Sequence, residues 1–226
     1  DKEIRALAFE QIRTAAKGEA ATRKFAELLP TLPAESQVGM LSALAGRGDK
    51  AAASAVRSLL TETKQDAVKS AAIEALGALG GADDVGPLAK LLSSENAVEQ
   101  KAARASLVKL SGEPASATIV GEMKQAKAAQ RVALIEILAT RRAGASEIAE
   151  AAVDADPKVR TAAMAALGEI GTPEQLPGMV QGVIKAQGKE RTAAERAVAQ
   201  VCQRIPDDQP QDKPLVAVVD VLSPDD

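Results

Sequence analysis

One pattern recurs seven times along this chain and leaves few folds open to it. The apolar residues Ile12, Leu44, Leu76, Leu107, Leu138, Leu167 and Val198 stand in like contexts, at spacings of 32, 32, 31, 31, 29 and 31. Four residues before each stand Ala8, Met40, Ala72, Ala103, Leu134, Ala163 and Ala194, all apolar and mostly small. Seven residues before each stand Arg5, Gln37, Lys69, Gln100, Arg131, Arg160 and Arg191, all long and polar. Positions i and i+4 share one face of a helix. A helix with a single apolar stripe cannot stand alone in water, so the repeats must stack on one another.

The clearest repeat runs from Asp156 to Gln175. Asp156 is a candidate N-cap and Pro157 occupies the first helical position, where proline is tolerated. Val159, Ala163, Leu167 and Ile170 form the stripe, and Gly171 with Pro173 ends it. A second ladder, Leu29, Leu60, Leu92, Met123, Val153 and Ile184, alternates with the first, so each repeat is two helices. The first helices are predicted near 20–30, 50–62, 83–93, 115–126, 145–153 and 174–187. The second helices are predicted near 2–16, 34–46, 66–79, 96–111, 128–141, 157–170 and 189–205. No linker breaks the register between Ile4 and Ile205, and one repeat domain over 1–206 is expected.

Residues 207–226 read as a polar loop followed by the apolar segment Leu215–Leu222. That segment is either a further first helix, continuing the second ladder at Leu222, or a strand; the helix is the expectation. The chain opens at Asp1 with no methionine, and is read as processed or as part of something longer.

Composition agrees with helices. Hydrophobic residues make up 46%, yet there are two Phe, no Tyr and no Trp. Ala, Leu and Val must fill the core, which suits closely packed helices better than sheets.

The signature Asp156, Val159, Arg160, Ala163, Leu167, Gly168, Ile170 and Gly171 resembles the HEAT repeat. The short period is most similar to the bacterial HEAT-like repeats of phycobilisome lyases. The resemblance implies an all-α fold, a right-handed α-solenoid of about seven helix hairpins whose second helices line a concave face. It implies protein binding, or a spacer role beside other domains. It also implies that Arg5, Arg131, Arg160 and Arg191 link neighbouring repeats, with Asp154 and Asp156 as candidate partners for Arg160. Lys69 joins them in the polar column, which reads as an inter-repeat ladder or as a cationic stripe for an acidic partner.

Catalytic chemistry is thinly supplied. Histidine is absent, which removes Ser-His and Cys-His nucleophile pairs and Cys/His zinc sites. No catalytic, cofactor or metal site is expected. Cys202, the single cysteine, reads as a small buried hydrophobe. Gly77, Gly80 and Gly81 read as a helix stop and not as a phosphate loop, and Asp83–Asp84 as capping. The Arg142 region reads as an ordinary helix C-terminal cation, and Glu10, Glu74 and Glu136 as a solvated stripe. A net charge of −3 with no aromatic platform argues against nucleic acid. No apolar run reaches the ~18 residues of a membrane span, so membrane insertion is not expected.

The expected function is a non-catalytic scaffold or spacer for a protein partner or a neighbouring domain. The alternatives are an accessory module of an exported enzyme and, from the resemblance alone, a bilin-lyase-like chaperone. Compartment stays open, extracytoplasmic or periplasmic if a leader was removed before Asp1, and so does oligomeric state. The candidate contact residues lie three before the first ladder: Phe9, Leu41, Arg104, Ile135, Met164 and Glu195. Ile73 shares their column, so part of the column is expected to be core.

Overall fold

The computed structural model describes residues 2–14 and 18–205. Residues 207–226, with the Leu215–Leu222 segment, lie outside the described residues. Among the described residues there are thirteen α-helices and no strand. The second helices of the repeats are α1 (Lys2–Thr14), α3 (Ala34–Arg47), α5 (Asp66–Leu79), α7 (Ala97–Lys109), α9 (Ala128–Arg141), α11 (Pro157–Ile170) and α13 (Gly188–Cys202). The first helices are α2 (Glu19–Glu27), α4 (Ala53–Glu62), α6 (Val85–Leu91), α8 (Glu113–Gln125), α10 (Ala145–Ala151) and α12 (Leu176–Lys185). Each predicted helix is present, within a few residues of its expected ends.

The chain divides into two compact units, Asp1–Thr118 and Ile119–Asp226. In unit 1, α1, α3, α5 and α7 pack in sequence, with α4 against α5 and α6 against α7. In unit 2, α9, α11 and α13 pack in sequence, with α10 against α11 and α12 against α13. Each unit is thus a stack of helix hairpins, the arrangement of an α-solenoid.

The first ladder is the core of both units. Leu44, Leu76, Leu107, Leu138 and Leu167 are fully buried, while Ile12 and Val198 are half-buried. Each buried leucine stabilises by roughly 1.5–3 kcal/mol. The second ladder holds only in part. Leu29, Leu60 and Met123 are buried, but Val153 is 36% exposed and Ile184 53%. The helix α10 ends at Ala151, so Val153 falls past it. The column that fills the core of the first helices is Val56, Leu88, Ile119, Ile148 and Met179, every member at 0% exposure.

Caps and close approaches explain the punctuation. Asp156 accepts a hydrogen bond from the Lys158 N–H at 2.8 Å, as an N-cap should. The backbone of Gly171 is extended, not left-handed, and glycine is needed there for space. A Cβ would sit 2.5 Å from the Leu167 carbonyl oxygen. Gly77 is no stop signal: it lies inside α5, and its missing side chain lets the Ser106 backbone of α7 approach. Arg142 ends α9 in the left-handed conformation, and the Ala143 N–H reaches back to the Leu138 carbonyl at 3.0 Å.

Cys202 is exposed, contrary to the reading as a core residue. Val201, 1% exposed, takes the inward position beside it.

Candidate protein-binding site

The polar column is built into the stacks. In unit 2, Arg160 donates from Nε and Nη2 to Glu190 at 2.7 and 2.9 Å, and from Nη1 to the carbonyls of Asp154 and Ala155 at 3.0 Å each. Its carboxylate partner is therefore Glu190 of the following second helix, not Asp154 or Asp156. Hydrogen bonding to Glu190 raises the pKa of Arg160 further. The Asp154 carboxylate belongs instead to Arg131, which also donates to the carbonyls of Met123 and Ala126 at 3.2 and 2.9 Å. Burial pushes the Asp154 carboxyl up, but the Asp156 N–H and Arg131 outweigh it and hold the group below the usual range.

In unit 1, Lys69 pairs with Glu99 at 2.7 Å and Arg5 with Glu35 at 3.0 Å. Lys69 and then the Ser94 hydroxyl hold the Glu99 carboxyl below its ordinary value. The glutamines bond only the turn before their helix: Gln37 donates to the Leu29 carbonyl at 3.0 Å and Gln100 to the Ser94 carbonyl at 2.5 Å. Arg191 pairs within its own helix, with Glu195 at 3.1 Å. A second set of ties, absent from the sequence reading, joins each of two first helices to the turn that leads into the next first helix. The Thr22 hydroxyl donates to Asp49 at 2.8 Å, and Arg57 donates to Asp84 at 2.7 Å, each pair 27 residues apart. Asp84, 1% exposed, also accepts from the Gly81 N–H.

The candidate contact column is split. Leu41 and Ile135 are fully buried and Met164 is 3% exposed, so these three are core and are not offered to a partner. Being apolar, they follow Ile73, at 0%, into the stack. Arg104 and Glu195 are exposed, and Phe9, half-buried, lies over Gly39. Glu10, Glu74 and Glu136 are all exposed, and Glu10 pairs with Arg13 at 2.6 Å.

A surface open to a partner lies one residue further round the second helices of unit 2. A hollow of 530 Å³ lies there, walled by Val132 and Glu136 of α9, by Lys158, Thr161 and Ala165 of α11, and by Glu190. A smaller pit of 60 Å³ adjoins it over Met164, Gly182 and Ala194. Glu136 and Glu190 are the carboxylates that line the hollow, and among the described residues no His, Cys, Asp or Glu cluster could hold a metal ion. No helix of the described residues is long and apolar enough to cross a membrane.

Comparison with known proteins agrees with the stacked hairpins. Residues 22–108 match the family of HEAT repeats, and residues 159–183 match the PBS lyase HEAT-like repeat. No curated protein matches the chain. An engineered protein of known crystal structure is similar at 19% identity and a TM-score of 0.47, over 89% of this chain and 61% of its own. A second engineered protein is similar at 18% identity and a TM-score of 0.41, over 88% and 96% respectively. The chain thus spans 61% of the length of the first of these.

Proposed function

We propose, for a chain built of HEAT-like repeats, that it is a non-catalytic protein-binding module whose partner docks on the second helices of unit 2. HEAT repeats generally mediate protein interactions, which is the general role this architecture carries. The observation that supports the particular surface is the 530 Å³ hollow walled by α9 and α11, together with the commitment of Arg131 and Arg160 to bonds inside the stack. Cations already spent on Asp154 and Glu190 are a framework for the surface, and the residues beside them make it.

A photo-crosslinking amino acid at Thr161, in the hollow, tests this against the same group at Ser146, exposed on α10. A purified partner found through Thr161 and not through Ser146 is the expected result. Equal capture at both positions overturns the assignment of the face. The proposal extends to residues 1–206 acting as one module. A single calorimetric unfolding transition is expected, and two separate ones overturn that part alone.

A further inference from the structure

We infer that the second-helix face of unit 2 takes a peptide segment with one aliphatic residue and, to one side of it, carboxylates that lie along α13. The inference rests on the protein-binding reading above and adds the chemistry of the occupant. The pit between α11, α12 and α13 is lined by Met164, Gly182, Ala186 and Ala194 among others, and its surface is mostly apolar. Its 60 Å³ exceeds the 10–15 Å³ that one water requires by roughly fourfold, room enough for a small branched side chain. It shares Thr161, Ala165 and Glu190 with the 530 Å³ hollow, so a chain lying in the hollow passes over its mouth. On the other side it shares Ala193 with a hollow of 600 Å³ lined also by Lys189, Thr192 and Arg196.

Charge decides what kind of chain fits. Lys158 stands on one side of the pit, Lys189 and Arg196 on the other, and none of the three is in an ion pair among the described residues. Of the carboxylates, Glu190 is already bound by Arg160. Glu136 stands on α9 and does not line the pit. The α13 flank of the pit is therefore cationic, while the other flank sets Lys158 beside Glu136, and an anionic partner gains on the α13 side of a buried anchor. Lys189 and Arg196 are seven residues apart on α13, roughly 10.5 Å along its axis. Three or four residues of extended chain, at about 3.3 Å each, cover that distance.

Random nonapeptides displayed on phage are selected on the 226-residue chain and counter-selected on its Ala193→Leu variant, in which the added side chain fills the pit mouth from an exposed position. Recovered peptides should carry Leu, Ile or Val with Asp or Glu residues to one side of it. Their dissociation constants, read by fluorescence anisotropy, should rise roughly tenfold in Ala193→Leu and in Lys189→Glu/Arg196→Glu, with thermal unfolding unchanged. Basic or aromatic peptides that Ala193→Leu still excludes overturn the acidic chemistry and leave the protein-binding face standing. Peptides indifferent to Ala193→Leu, or no recovery at all, overturn both. Self-association of the chain that Ala193→Leu abolishes would make a second copy the occupant, and also overturns the inference.

Discussion

The two units solve one bonding problem with different side chains. A residue seven before each core leucine must satisfy carbonyls in the turn behind it and join the repeat ahead. In unit 2, arginine does both at once: Arg131 and Arg160 each bond turn carbonyls and a carboxylate. In unit 1 the work is divided. Gln37 bonds only a turn carbonyl, while Arg5 and Lys69 form the ion pairs. A planar guanidinium carries five donors in a fixed fork, whereas an amide or an ammonium has fewer and less widely aimed ones. The next repeat follows suit. Glu99 stands 30 residues after Lys69 and Glu190 30 after Arg160, but the helix after Gln37 carries Val68 at the equivalent place, and it is fully buried. Arg131 departs from this: the equivalent place after it is Val159, also fully buried, and its acid is Asp154 in the turn.

The units also end alike. The column three before each core leucine is buried at Leu41 and Ile73 in unit 1 and at Ile135 and Met164 in unit 2. On the last second helix of each unit it is charged and exposed, as Arg104 and as Glu195. The largest expected effects test this contrast. Ile73→Glu and Ile135→Glu bury an unpaired carboxylate and should each cost more than about 4 kcal/mol, enough to abolish the cooperative melt. Glu195→Leu, at the same column, should stay within about 0.5 kcal/mol. A large loss at Glu195 would show that the column is structural to its end.

Next in size is the ladder itself. Arg160→Met leaves Glu190, 18% exposed at its side chain, without its cation, and frees two turn carbonyls. About 3–5 kcal/mol of stability should be lost, measured by urea unfolding. Arg160→Lys keeps the charge but loses the fork, and should recover only part of it. In unit 1, Lys69→Arg should be tolerated within about 1 kcal/mol, because only one bond is asked of that position. If Arg160→Lys is equally harmless, the division of labour between units is not energetic.

The helices were legible in the sequence because the leucine column keeps its character through seven repeats. The first-helix core was less so. Val153 and Ile184 keep the period of Leu29 and Leu60 but face solvent, because apolar type and spacing alone do not say which side of a short helix is covered. The signal was nonetheless there: the single contraction to 29 residues between Leu138 and Leu167 is repeated between Ile119 and Ile148 and marks the true column. Among the candidate contacts, side-chain type was the better guide than column. The apolar members Leu41, Ile135 and Met164 went inside, and the charged Arg104 and Glu195 did not. The partner acids of the ladder were hard to see because they lie about 30 residues away, on another helix, and Asp154 beside Arg160 was the nearer choice. The unit 2 hollows arise from how three helices are set side by side, and no local pattern encodes that.

Acid separates the units by smaller amounts. Glu99 in unit 1 and Asp154 in unit 2 both titrate below their ordinary values in the folded chain. A depressed carboxylate contributes stability that is fully present above its unfolded value and is lost as pH falls through the folded one. Urea midpoints should therefore hold steady at neutral pH and decline below the ordinary carboxylate range. Glu99→Gln should lower the midpoint at neutral pH and flatten the decline, while Asp154→Asn does the same through Arg131. By contrast, Arg5→Ala removes a pair whose side chains are 41% and 68% exposed, and screening by water and salt leaves it little to contribute. Its expected cost is below about 0.5 kcal/mol and should vanish in high salt. That is the weakest rung of the ladder, at the end of unit 1 where α1 packs on α3 alone among the second helices. A cost at Arg5 as large as at Arg160 would mean that burial does not set the strength of these pairs, and the contrast between the units would have to be sought elsewhere.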